Sequence, residues 1–466
     1  MIFLILKIYV FSHHPDLWRD LTLNDAIHGI NYVKTWKDTY SQMKCPQAPL
    51  HEPIVVVGMY SDLLHRSWAS RMCDLTTACP GFYNPCEVPR VARSDLSVDQ
   101  FLSLYESKNR PVIITGIVTE WSAYKKWGNW EYLEEKSGNK TFRATSATAS
   151  LAAQFTLSQY RKYCESAKEE APLYFFDRDF LKSIGSIDYN VPEYFDPAAS
   201  HGTDLFRLFG EHGRPDHRWL IIGPKRSGSM FHIDPNQTHA WNAAIKGRKK
   251  WIFYPPGVTP PGVMASLDGA DVTMPISTGE WLLSFWSFHL LAKQDPDPSR
   301  RPIECILYPG ELIFVPHNWW HMVINLDESI ALTYNYLSST NLSDCLYFLK
   351  HKLDQISGVR DRYGEAVQPD NMYNSLLEQL NYFYPHFLQN SLSQIESKEN
   401  SIQKVTILTS TKKLKRKANA ISGECKNNIE EYSSVGIDTV NENNFQIDRK
   451  DDNNFSGLNS FSFSFF

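Results

Sequence analysis

Between residues 111 and 333 the chain is cut into short apolar runs, and glycine or proline closes most of them. Pro111–Gly116 is a β-branched run ended by glycine, and Trp219–Gly223 is another. Ser229–Asp234, Trp251–Tyr254, Glu304–Leu307, Glu311–Val315 and Ser329–Thr333 continue the pattern, with Pro309-Gly310 as a tight turn between two of them. Runs of this length and composition are strands rather than helices. Many short strands separated by turn residues close best as an antiparallel sandwich or barrel. The expected class is mostly β with flanking helices.

Within that pattern, Phe231-His232-Ile233-Asp234-Pro235 is answered much later by Trp319-Trp320-His321. Residues i and i+2 of a strand project from one face, so His232 and Asp234 can both point into a barrel mouth. A neighbouring antiparallel strand can deliver His321. Two imidazoles and one carboxylate cover one face of a six-coordinate metal and leave three positions open, the arrangement of non-haem Fe(II) oxygenases. By itself a His-x-Asp pair is more often a satisfied core histidine beside a turn aspartate. Neutral imidazoles and one carboxylate leave Fe(II) one residual positive charge, which favours a dianionic chelator such as 2-oxoglutarate. Such a ligand needs a cation for its far carboxylate, and Lys249 lies one strand away. Ser229 and Thr333 offer hydroxyls, and Asn242 an amide for the chelating end. Spacing alone leaves these four assignments open, since a lysine in this run also suits a solvated turn.

At 466 residues the chain holds one large domain of roughly 250 residues plus flanking pieces. Four zones are expected: a helical region with a linker over 1–90, the main domain over 91–340, helices over 341–392, and a disordered polar tail over 393–466. Leu342–Leu353 and Met372–Leu388 are the helices of the third zone. The apolar opening Met1–Phe11 is too short to span a bilayer, which needs about 20 residues, and no membrane association is expected. Eight scattered cysteines do not make a secreted disulfide framework. A net charge of −5 gives no whole-chain footprint for nucleic acid. The basic run Lys412–Lys417 in the tail suits either a nuclear signal, an RNA contact or a solvated segment.

Four stretches carry a specific resemblance: Tyr105–Trp121, Gly223–Asn242, Gly247–Pro256 and Pro309–Asn341. They resemble the JmjC (cupin-like) 2-oxoglutarate oxygenases, in the Jumonji branch of the protein first called the phosphatidylserine receptor. That resemblance implies a double-stranded β-helix (jelly-roll) core. It implies Fe(II) ligands His232, Asp234 and His321, and 2-oxoglutarate contacts from Ser229, Asn242, Lys249 and Thr333, with Tyr160 adding a phenol. The cofactors implied are Fe(II), 2-oxoglutarate and O2, with ascorbate as reductant. The activity implied is hydroxylation, or N-demethylation through hydroxylation, of a protein Lys or Arg, releasing succinate and CO2. The insert Val263–Arg301 is expected to border the substrate mouth. Leu17–Leu21 and Tyr60-Ser61-Asp62 resemble part of an F-box, which implies a ubiquitin-ligase adaptor as partner. The helices after residue 341 imply a homodimer, and the expected location is nucleus or cytoplasm. Two other classes compete: a binding adaptor that uses the oxygenase fold without turnover, and a zinc hydrolase on a cupin fold.

Overall fold

The computed structural model describes residues 79 to 400, apart from 84–86, 148–151, 168–170, 181–187, 197–201, 267–268, 276 and 362. The F-box-like zone and the basic run lie outside the described residues.

In chain order the strands are β1 (Arg90–Ala92), β2 (Val112–Thr115), β3 (Thr141–Thr145), β4 (Ala152–Thr156), β5 (Tyr174–Asp177), β6 (Arg218–Gly223), β7 (Gly228–His232) and β8 (His239–Lys246). They continue with β9 (Lys249–Tyr254), β10 (Met264–Ala265), β11 (Val272–Thr273), β12 (Ile303–Leu307), β13 (Leu312–Val315), β14 (Trp320–Asn325) and β15 (Ser329–Tyr336). A nine-stranded sheet has the order β1-β2-β13-β8-β15-β6-β5-β3-β4, and a four-stranded sheet the order β12-β9-β14-β7. Successive strands from β6 to β9, and again from β12 to β15, alternate one by one between the two sheets, which is jelly-roll order. All seven expected strands are present.

Side-chain alternation explains the layers. On β8, Trp241, Ala243 and Ile245 join the core outside the large sheet, while Ala240 and Ala244 face the small sheet. On β9, Trp251 and Phe253 point into the sandwich. Ile252 and Tyr254 point outward, under helix α2 (Thr278–Ala292). Helix α1 (Leu157–Ser166) buries Leu157, Tyr160 and Tyr163, and opens with a capping box from Thr156 and Gln159. Inside the sandwich the apolar core fills one end only. The other end is a cavity of about 1020 Å³ between the sheets.

Helices α3 (Leu342–His351) and α4 (Pro369–Phe383) occupy the expected C-terminal zone, but the second, expected over Met372–Leu388, ends at Phe383, where Tyr384 (φ −141°, ψ 54°) breaks it. A further helix, α5, runs through residues 385–400. Disorder expected from residue 393 is thus corrected for 393–400. Leu388 and Ile395 bury themselves with α3 and α4, and Lys398 and Glu399 pair with Asp344 (2.8 Å) and Lys350 (3.0 Å). The apolar spacing was there, but charged and polar residues around it masked the period.

Candidate active site

The cavity holds His232, Asp234 and His321 at its mouth end. Strand β14 pairs antiparallel with β7, and their register sets His321 directly opposite His232. The two rings lie 4.1 Å apart, centroid to centroid. Asp234 follows β7 in extended conformation (φ −58°, ψ 141°). One donor atom from each of the three residues falls within 4.8 Å of the other two. The Nδ1–H of His232 donates to the Met230 carbonyl (2.8 Å), and that of His321 to the Trp319 carbonyl (3.0 Å). These bonds orient both rings and make Nε2 the lone-pair nitrogen. Burial pushes both imidazoles down to about 4, with the neighbouring His321 adding to the effect on His232. They are therefore neutral at pH 7. Burial raises the Asp234 carboxyl above its usual range, partly offset by His232 and the Asn335 amide. Its Oδ2 is buried with no hydrogen-bond partner among the described residues. An orphaned carboxylate oxygen beside two neutral imidazoles fits a divalent cation, since that ion satisfies all three donors at once.

Deeper in the same cavity lies Lys249, only 1% exposed. Its ammonium donates to the Tyr174 hydroxyl (2.6 Å) and to Asn325 Oδ1 (2.8 Å). Asn325 is held in turn by its amide bond to Ser227 Oγ (2.8 Å). Burial alone drives the ammonium down to about 7, with no carboxylate among the described residues acting on it. A buried cation with only neutral partners is costly, and an anionic ligand removes that cost.

Ser229, Asn242 and Thr333 line the cavity with the triad and Lys249. Thr333 sits directly across from Asn242 and donates to the Trp241 carbonyl (3.2 Å). Asn242 Oδ1 is buried without a donor among the described residues. Donors and a cation at one end with a metal triad at the other fit a short dicarboxylate that chelates.

Tyr160 is the one expected site residue that the structure removes. Its hydroxyl donates toward the Leu173 and Ile222 carbonyls (2.7 and 2.9 Å) and accepts from the Phe175 amide (3.1 Å). It is a fully buried core phenol outside the cavity. The physical reason lies in α1, where Leu157, Tyr160 and Tyr163 share one helical face. Tyr174 on β5 supplies the phenol instead. Tyr174, Asn325 and the cavity-lining Asn335 were missed. The run Tyr174-Phe175-Phe176-Asp177 carries a strand signal, and alternation on it would have turned Tyr174 and Phe176 to one face. The hairpin of β10 and β11 lines the mouth through Ala265, Asp271 and Val272, as the insert was expected to do.

The chain belongs to the cupin-like domain family, whose profile matches residues 98–341 and spans the sandwich and the triad. The chain is 37% identical over 413 residues to the arginine-specific demethylase JMJ22 of Arabidopsis thaliana, covering 87% of this chain and 76% of that protein. It is 35% identical over 263 residues to the bifunctional arginine demethylase and lysyl-hydroxylase psr-1 of Caenorhabditis elegans, covering 55% and 62%. It is 24% identical over 292 residues to the 2-oxoglutarate and iron-dependent oxygenase JMJD4 of Mus musculus, covering 59% and 66%. The relatives agree with the JmjC resemblance read from the sequence.

Proposed function

We propose that this chain is an Fe(II)- and 2-oxoglutarate-dependent oxygenase that hydroxylates a Lys or Arg side chain of a protein, or N-demethylates it through hydroxylation. The observation that carries the reading is one cavity that holds a neutral-imidazole and carboxylate triad together with a buried lysine that meets no anion among the described residues. His232, Asp234 and His321 would hold the iron. When bound with its co-substrate, that iron supplies oxygen activation coupled to release of succinate and CO2. Lys249 and Tyr174 bind the far carboxylate of 2-oxoglutarate, with the Ser229 and Thr333 hydroxyls completing that pocket, and Asn242 orients the chelating end. Met230 and Trp319 carbonyls hold the two rings. Trp219 and Ile221 wall the inner chamber and keep bulk water from it. The cavity exceeds what a five-carbon diacid fills, which leaves room for an entering side chain.

The names of the Arabidopsis and nematode relatives support Arg and Lys as target types. Exposed Tyr382 and Phe383 near the end of α4 support a homodimer through the C-terminal helices. The basic run Lys412–Lys417 supports nuclear entry.

The test is succinate release from 2-oxoglutarate with Fe(II) and ascorbate, in wild type and His232→Ala. Turnover in wild type and its loss in the variant are expected. No turnover, with no 2-oxoglutarate binding to metal-loaded protein, would instead favour the binding-adaptor reading.

A further inference from the structure

The turn that carries Asp234 is strained, and part of what restrains it comes from outside the family-matched region. Asn236 and Gln237 both adopt left-handed backbone (φ 53° and 59°), although neither is glycine. Two consecutive residues of this kind persist only when their surroundings hold them. Thr238 closes the turn locally, its hydroxyl donating to the Pro235 carbonyl (2.8 Å). The remaining restraints are distant in sequence. Asn341 donates its amide to the Gln237 carbonyl (2.6 Å). Asn236, 4% exposed, makes a reciprocal pair with Ser357: its Nδ2 donates to the Ser357 carbonyl (2.9 Å), and its Oδ1 accepts from the Ser357 amide (3.1 Å).

Ser357 belongs to the irregular segment after α3, which lines the cavity through Gln355, Ile356, Ser357, Gly358 and Val359. One residue further on, the Gly358 carbonyl accepts from the Asp216 amide (2.9 Å). Arg360 then forks onto the Asp216 carboxylate with bonds of 2.7 and 2.6 Å. Asp216 lies just ahead of β6 in the large sheet, whereas Asn236 follows β7 of the small one. The segment is therefore a brace across the open end of the sandwich, anchored on the metal turn at one side and on the large sheet at the other.

We propose that Asn236 is a positioning residue: by clasping Ser357 it transmits the brace to the turn and keeps Asp234 in ligand geometry. This rests on the metal-site reading above. An outer contact of this kind is worth about 10-fold or more in metal affinity. The test uses full-length protein and Mn(II) alone as probe, titrated by the magnetic resonance signal of free Mn(II). Asn236→Gly keeps the left-handed backbone at no steric cost and removes both hydrogen bonds. It should bind Mn(II) about 10-fold more weakly, and the Ser357 amide should exchange with solvent faster. Asn236→Asp keeps the acceptor for the Ser357 amide and loses the donor, so it should fall between. It also serves as the reading if the glycine variant does not fold. A purely structural clasp would lower the melting temperature and speed Ser357 exchange while leaving Mn(II) affinity within twofold, and that result overturns the proposal. So does an unchanged Ser357 exchange rate. Wild type that binds no Mn(II) overturns the metal-site reading itself, a different outcome.

Discussion

Lys249 and Lys250 are neighbours on β9, each only 1% exposed, yet they live in opposite chemistry. Alternation along the strand sends them to opposite faces. Lys250 turns outward under α2 and pairs with Glu304 on β12 at 2.6 Å. His289 from α2 and the partly exposed Lys293 also reach Glu304, with His289 Nε2 at 3.1 Å from its carboxylate. Burial pushes the Glu304 carboxyl up, but the His289 hydrogen bond and the Lys250 charge outweigh it and hold it far below its usual range. Lys249 turns inward and meets a phenol and an amide. Equal burial with a counter-charge is architecture; equal burial without one among the described residues, facing a cavity, marks a candidate site for an anion. The difference is invisible in the residue type and is set by one step of strand register.

That contrast can be broken most sharply at Lys249. Lys249→Met should weaken 2-oxoglutarate binding roughly 1,000-fold, about 4 kcal/mol, because a buried charge partner is lost. Its melting temperature without ligand should equal or exceed wild type, since no anion is left stranded. Calorimetric titration and a thermal melt check both halves. Lys250→Met should do the reverse: 2-oxoglutarate affinity stays within about twofold, while stability falls by about 3 kcal/mol as Glu304 loses its fully buried cation. Adding Glu304→Leu should recover most of that loss in chemical denaturation, and failure to recover it would make the pair something other than a charge pair.

A third expectation concerns pH. Without an anion the Lys249 ammonium titrates near 7, lowered from 10.5 by burial. A bound carboxylate holds the proton on. Affinity for 2-oxoglutarate should therefore fall as pH rises above about 7, by up to tenfold per unit. The slope should vanish in Lys249→Met, as read by titrating Mn(II)-loaded protein across that range. The smallest effect is expected for Tyr174→Phe, which removes one hydrogen bond to the ammonium and should weaken 2-oxoglutarate about fivefold.

The grouping of His232, Asp234 and His321 was legible because its geometry is local: i and i+2 where one strand ends, and a third residue on the neighbouring antiparallel strand β14. The strands that carry the triad and the lysine were legible through their short apolar runs. Lys249 could be placed near the site but not told from Lys250, because neighbours in a six-residue fully buried strand differ only in which face they take. Tyr160 was expected from the resemblance and Tyr174 was not; the packing of α1 puts the Tyr160 phenol into the core, whereas Tyr174 lines the cavity. The brace around Ser357 has no period at all, and its role depends on partners more than a hundred residues away.

The most direct single measurement is an anaerobic titration of Fe(II)-loaded protein with 2-oxoglutarate, followed by visible charge-transfer absorption. The account predicts a saturable band in wild type and Lys250→Met, none in His232→Ala, and in Lys249→Met a band only at far higher 2-oxoglutarate. A wild-type protein that takes up Fe(II) and shows no such band at any concentration would contradict it.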